Sequence, residues 1–112
     1  MNLRDIKPSA SMSYTHPSTG TAIDLTKQLA TLDAGSYTLA NGTEGQILYL
    51  ALRSGDPEDV TVTFANIRIL DTGAISTSYA ATPFRRHAEM SAGTTMFCIF
   101  TNGAWTTSNG DI

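Results

Sequence analysis

The stretch that decides the fold is TMFCIFTNGAWTT, residues 95–107. Two runs of β-branched and aromatic residues flank Asn102-Gly103, a dipeptide whose two positions both tolerate the positive φ of a tight turn. The sequence therefore predicts a β-hairpin with strands over residues 95–101 and 104–107.

Similar short strands extend from this hairpin toward the N-terminus. Residues 46–52 are apolar on both faces, which predicts a central strand. The alternation of residues 60–64 slips out of phase at Ala65-Asn66, which predicts a β-bulge or a break there. Asn41-Gly42 predicts another tight turn, and the weakly patterned residues 74–82 predict an edge strand or loop. Seven or eight short strands predict an all-β fold, a small antiparallel β-sandwich or barrel-like domain.

Composition supports this fold class. The chain has 112 residues, enough for one domain, with 17 Thr, 10 Ser and only 15% charged residues. A helical protein would be richer in Ala, Glu, Lys and Leu.

The first 21 residues lack any hydrophobic period. Pro8, Pro17 and many hydroxyl side chains favour an extended N-terminal arm over residues 1–21, before a β-domain over residues 22–112. A disordered leader is the alternative. The candidate anchors that would bind a partner are the large apolar side chains of the arm: Leu3, Ile6, Met12 and Tyr14.

Several function classes are disfavoured. A net charge of −3 argues against binding nucleic acid through phosphate neutralisation. No apolar stretch is long enough for a membrane span. The single Cys98 lies in an apolar run and is interpreted as a small hydrophobic residue, which indicates a reducing compartment.

No catalytic constellation is recognisable either. His16 and His87 are interpreted as polar surface, since neither has a convincing nucleophile or orienting group in the sequence pattern. The acidic turn at residues 56–59 lacks the spacing of a calcium loop, and no phosphate-binding glycine motif occurs. The sequence therefore predicts a non-enzymatic protein without a metal or cofactor.

Two sets of side chains remain as binding candidates. Arg85 and Arg86 are interpreted as part of a solvated charged turn or, together with Arg53, as residues that pair with acidic residues of a protein partner. In an alternative interpretation, Trp105 with Asn102 or Tyr79 contacts a glycan.

Residues 35–50 (GSYTLANGTEGQILYL) and 100–105 (FTNGAW) together resemble small β-domains of tailed-bacteriophage virion proteins. These domains share a strand with a "tLxdGxxGQxlxl" pattern, then a Thr/Val strand, and end in an "xxNGxW" hairpin. The resemblance covers residues 35–107 and implies a virion building block, typically a homotrimer. It carries over no catalytic residue.

The resemblance and the short arm together favour a capsid decoration (cement) protein that stabilises the head by bridging capsid subunits. Its expected partners are copies of itself and the major capsid protein or another virion protein. The expected location is the capsid surface of the virion, after synthesis in the host cytoplasm. The alternatives are a receptor- or glycan-binding fibre tip and a low-copy tail or neck connector.

Overall fold

A computed structural model of the chain describes residues 12–69, 71–84 and 94–108. These residues form eight β-strands and one short 3-10 helix, Pro57–Asp59. The strands are β1 (Tyr14–Thr15), β2 (Leu29–Leu32), β3 (Gly35–Leu39), β4 (Ile47–Leu52), β5 (Val60–Arg68), β6 (Ile75–Ala81), β7 (Thr95–Thr101) and β8 (Ala104–Thr107). The predicted all-β fold class and the closing hairpin are both confirmed.

The strands form one curled mixed sheet in the order β1-β2-β4-β7-β8-β5-β3, and β6 pairs with β5. Antiparallel pairing joins β4 to β7, β7 to β8 and β5 to β6. Parallel pairing joins β1 to β2, β2 to β4 and β3 to β5, and a single residue pair joins β5 to β8. The sheet is thus barrel-like but mixed, where a purely antiparallel sheet was expected.

β3 and β4 do not pair with each other: β3 pairs in parallel with β5, and β4 pairs in parallel with β2, so the segment between them is a crossover rather than a hairpin. Neither Asn41 nor Gly42 has a positive φ, so the tight turn predicted there is wrong; the positive φ, 86°, falls at Gly45. Gly42 is required by packing instead. A Cβ on it would lie 2.7 Å from Oε1 of Gln46, and 2.8 Å from Cζ2 and 2.9 Å from Cη2 of Trp105.

The curl of the sheet centres on β5, which has two neighbours on one edge. β3 pairs with its first half, and β8 meets its second half at Ile67, while β6 lies along the opposite edge. The predicted central strand is confirmed, since β4 lies between β2 and β7 and Leu48, Leu50 and Leu52 are fully buried. Burial of each such leucine stabilises the fold by about 2 kcal/mol.

The predicted phase slip in β5 is present within one continuous strand. Phe64 and Ile67 are both fully buried although they lie three positions apart, a spacing that puts them on opposite faces of a regular strand. Opposite the slip, β6 contains Ser78 with a φ of 49°, a conformation that non-glycine residues rarely adopt. At this point the alternation of buried and exposed side chains shifts by one residue in both strands, so β5 and β6 remain paired beyond it.

Candidate interaction surface

The described part of the arm lies along the edge of its own sheet. The Ser13 carbonyl accepts hydrogen bonds from the amides of Gln28 (3.0 Å) and Leu29 (3.1 Å). Further along, the Gly20 amide donates to the Ser36 carbonyl at 2.6 Å. Residues 13–22 are therefore held on β2 and then on β3 by backbone hydrogen bonds.

A polar cluster fastens the middle of the arm. We call it the Asp33 cluster; it comprises His16, Asp33, Arg53 and Ser54. The carboxylate of Asp33 lies 3.0 Å from His16 Nε2 and 3.1 Å from Arg53 Nη1, and accepts a 2.6 Å hydrogen bond from Ser54 Oγ. The hydrogen bond from Ser54 lowers the pKa of the Asp33 carboxyl, and the charges of Arg53 and His16 contribute.

The imidazole of His16 has a defined orientation in this cluster. Its Nδ1 lies 2.8 Å from the Thr31 carbonyl, which can only accept, so Nδ1 carries a proton. Nε2 lies 2.8 Å from Arg53 Nη1. Nε2 therefore accepts from Arg53 when the ring is neutral and donates to Asp33 when the ring is charged.

The Asp33 cluster contains Ser, His and Asp, but its geometry differs from that of a catalytic triad. In a triad the imidazole lies between the hydroxyl and the carboxylate, so that it can take the hydroxyl proton. Here the Asp33 carboxylate lies between the Ser54 hydroxyl and the His16 ring. The arrangement fastens the arm, and the Ser54 hydroxyl donates its proton to the Asp33 carboxylate rather than to the imidazole.

Sequence reasoning missed this cluster. Arg53 was identified as a candidate partner-binding residue, whereas His16 was assigned to ordinary polar surface. Ser54 lies 38 positions after His16, and parallel pairing of β2 with β4 is what brings the two regions together. A local motif search has no signal for such a contact.

The loop of residues 40–46 is locked onto the closing hairpin. Glu44 Oε1 accepts from the Asn102 amide at 2.6 Å, and Oε2 accepts from the Gly103 amide at 3.1 Å. The Trp105 indole Nε1 donates to the Ala40 carbonyl at 2.9 Å. The two segments that carry the phage resemblance thus contact each other directly.

These contacts bear on the residues named for glycan binding. Trp105 is fully buried, so its ring offers no face to a sugar. Tyr79 is half-buried on β6, and Asn102 is exposed in the turn. The structure therefore does not assemble the expected sugar platform around Trp105.

The outward side of β1, β2, β4 and β7 carries an apolar surface, which we call the outer face. Adjacent-strand pairing places Tyr14 beside Leu29, Leu29 beside Tyr49, and Tyr49 beside Phe97. The rings of Tyr49 and Phe97 have centroids 6.1 Å apart. Ile47 and Ile99 form a second pair next to this row.

Large side chains of the outer face are open to solvent. The exposed fraction is 65% for Tyr14, 44% for Ile47 and 43% for Phe97. Met12, which precedes this face in the arm, is 43% exposed. A contiguous exposed apolar patch of this kind typically marks an interaction site.

The remaining predicted site residues fall in different places. Arg53 is exposed and is already paired with Asp33. Leu3, Ile6, Arg85 and Arg86 lie outside the described residues.

Burial raises the pKa of the Cys98 thiol to about 12, which keeps it protonated and unreactive. Within residues 12–69, 71–84 and 94–108, no group of three His, Cys, Asp or Glu side chains is placed to hold a metal ion. The same residues include no helix of the length and apolarity needed to cross a bilayer.

Comparison of the chain with protein-family models, curated proteins and solved structures finds no match.

Proposed function

We propose that the chain is a non-enzymatic virion structural protein that decorates a bacteriophage capsid and stabilises it by bridging capsid subunits. It would act as a homotrimer on the capsid surface. The arm would bind the capsid, and the β-domain would supply a rigid mount.

The observation that carries the proposal is the way the arm is anchored. The Asp33 cluster and the backbone bonds of Ser13 fix the arm to its own sheet, yet Met12 and Tyr14 remain 43% and 65% exposed at the sheet edge. Residues 1–11 precede Met12 in the chain, and their Leu3 and Ile6 would add to the apolar anchors that the arm offers to a partner. Side chains of this type anchor peptide segments in the grooves of partners.

The resemblance to phage virion domains supports the proposal because the two segments that carry it, residues 35–50 and residues 100–105, pack directly against each other. Gly42 leaves room for the Trp105 ring, and Glu44 binds the hairpin turn. The Gly45 amide donates to the Phe100 carbonyl at 2.7 Å, and the Phe100 amide donates to the Gln46 carbonyl at 2.9 Å. The separated halves of the sequence pattern therefore describe a single packing arrangement.

The mechanism is mechanical. Each copy would contribute a small binding free energy, and the connected copies would add through multivalency. Neighbouring capsid subunits would then resist the outward pressure of the packaged DNA together.

Location and copy number in purified phage particles test the proposal. Antibody-gold labelling and quantitative mass spectrometry are applied to particles of the phage that encodes the chain. Labelling of the head, with a copy number in constant ratio to the major capsid protein, is expected. Labelling confined to the tail would favour a fibre tip or connector, and absence from the particle would overturn the proposal.

The role of the arm has its own test. Particles lacking the protein are mixed with the full chain, with a chain lacking residues 1–11, or with an Ile75→Asp control, whose altered side chain lies on β6. The truncated chain should remain folded by circular dichroism but fail to bind, while the control binds. Binding by the truncated chain would contradict the arm mechanism.

A further inference from the structure

The outer face is an unusual surface for a chain of this charge. Its outward side chains are apolar or carry hydroxyl groups, and none of the described ones is charged. They are Tyr14, Leu29, Thr31, Ile47, Tyr49, Ala51, Thr95, Phe97, Ile99 and Thr101. The whole chain has a net charge of −3.

We infer that the outer face is the surface through which copies of this chain associate with one another. The inference deepens the proposed function and rests on it for the homotrimer. It names the surface that the copies share.

Charge supports a second copy as the occupant. Two copies of an acidic chain repel each other wherever like charges meet, and like-charge contacts are costly at interfaces. The centre of the outer face avoids this repulsion. At one end lies the Asp33 cluster, where the opposite charges of Asp33 and Arg53 already compensate each other.

The layout also matches that of protein interfaces, which have an apolar, aromatic-rich centre and a polar rim. Tyr49 and Phe97 form the aromatic centre, and Thr31 and Thr95 lie toward the charged end. Aromatic side chains at the centre of an interface commonly carry most of its binding energy.

The size of the face sets the expected strength. The four strands contain 2, 4, 6 and 7 residues. At about 3.3 Å per residue and about 4.8 Å between strands, they give a projected area of roughly 300 Å². A standard interface buries about 800 Å² on each partner, so the outer face would form the centre of a contact rather than all of it. We therefore expect a concentration-dependent equilibrium rather than irreversible assembly.

Sedimentation measurements across a concentration series test the inference. The full chain is compared with an Ile47→Glu/Phe97→Glu variant and with an Ile75→Glu control. Ile75 is 47% exposed and lies in β6 at the far end of the sheet from β4 and β7, so its substitution matches the others in chemistry but not in position.

The full chain and the control should both form oligomers, and trimers are expected. The dissociation constant of the double variant should be at least a hundredfold higher than that of the full chain, because the variant would bury unpaired charges at each contact. Its circular dichroism spectrum should match that of the full chain.

Each other outcome overturns the inference. An oligomer that survives in the double variant would leave the homotrimer standing but place its interface elsewhere. A full chain that stays monomeric throughout would remove the homotrimer as well, while head labelling of particles would still test capsid binding independently. Equal weakening by the Ile75 control would show a general charge effect rather than a specific surface.

Discussion

Two aromatic pairs on neighbouring strands lie on opposite faces of the sheet. Phe100 and Trp105 lie inside the curl, with ring centroids 5.2 Å apart in an edge-on arrangement. Tyr49 and Phe97 lie on the outer face, 6.1 Å apart, and Phe97 is 43% exposed. The first pair has every polar requirement met within the chain, since the indole N–H donates to the Ala40 carbonyl.

Because one pair is buried and the other is exposed, substitutions at the first should affect folding stability and substitutions at the second should affect association. The buried pair is surrounded by fixed neighbours, so changes there should be felt as loss of folding free energy. The exposed pair has few neighbours on its solvent side, so changes there should alter contacts with other molecules and leave the fold intact. Substitutions at the two places should therefore give different measured effects.

The largest effect is expected for Trp105→Ala. Removal of a fully buried indole should destabilise the fold by about 3–5 kcal/mol, through lost burial and the cavity that remains. Urea denaturation followed by circular dichroism measures the loss. A loss below 1 kcal/mol would show that the hairpin junction is not part of the stabilising core.

Gly42→Ala should cost about 1–3 kcal/mol because the new Cβ would overlap the Trp105 ring. The overlap involves Cζ2 and Cη2, two atoms of the indole that phenylalanine lacks. In a Trp105→Phe background, the same Gly42→Ala substitution should therefore cost less, and the cost that remains is due to the 2.7 Å approach of the new Cβ to Gln46 Oε1. Additive costs in this double-mutant cycle would contradict a direct contact.

Glu44→Ala should cost about 1–2 kcal/mol, comparable to the loss of a helix cap, because two turn amides lose their acceptor. Glu58→Ala, on the 3-10 helix, removes the same charge and serves as the control. Amide exchange of Asn102 and Gly103 should rise only in the Glu44 variant. Unchanged exchange at both amides would rule out the proposed lock.

Phe97→Ala should cost less than about 1 kcal/mol in the isolated chain, since only part of the ring is packed, mainly against Tyr49. The same variant should weaken self-association measurably by sedimentation. A loss of stability comparable to that of Trp105→Ala would erase the contrast between the two pairs.

The smallest effect concerns the arm and depends on pH. The folded-state pKa of Asp33 lies below its ordinary value of 3.8, so ionised Asp33 favours the attached arm above that pH. This contribution is lost as the pH falls through the lowered pKa, because the protonated carboxyl no longer favours the hydrogen bond from Ser54 or the charges of Arg53 and His16, and His16 belongs to the arm. The amides of Gln28 and Leu29, which donate to Ser13, should then exchange faster relative to their intrinsic rates.

Asp33→Asn should remove this pH dependence, whereas Asp59→Asn, on the 3-10 helix, should leave it in place. An acid-induced change of equal size in both variants would assign the effect to another group.

The features that were predicted correctly are those that depend on residues close together in the chain. The hairpin at Asn102-Gly103 was predicted correctly because both turn residues adopt positive φ, 53° and 82°. The central strand and the phase slip in β5 also followed from the order of apolar residues. Each of these features depends on neighbours along the chain.

The rest depends on contacts between distant residues. Asn41-Gly42 has the same turn-forming composition as Asn102-Gly103, yet Gly42 is set by the Trp105 ring packed against it. Parallel pairing of β2 with β4 assembles the Asp33 cluster from separate segments. A single sequence holds no local signal for which strands become neighbours.

Oxidative footprinting of aromatic and aliphatic side chains tests most directly whether the outer face is covered in the assembled protein. The oxidation of Phe97 and Ile47 is compared with that of Ile75 in dilute chain, in concentrated chain and in intact particles. All three side chains are similarly exposed in the isolated chain, so their reactivity in dilute solution provides the reference. We predict that Phe97 and Ile47 become several-fold less reactive on assembly while Ile75 does not change, and unchanged reactivity of Phe97 in both assembled states would contradict the account.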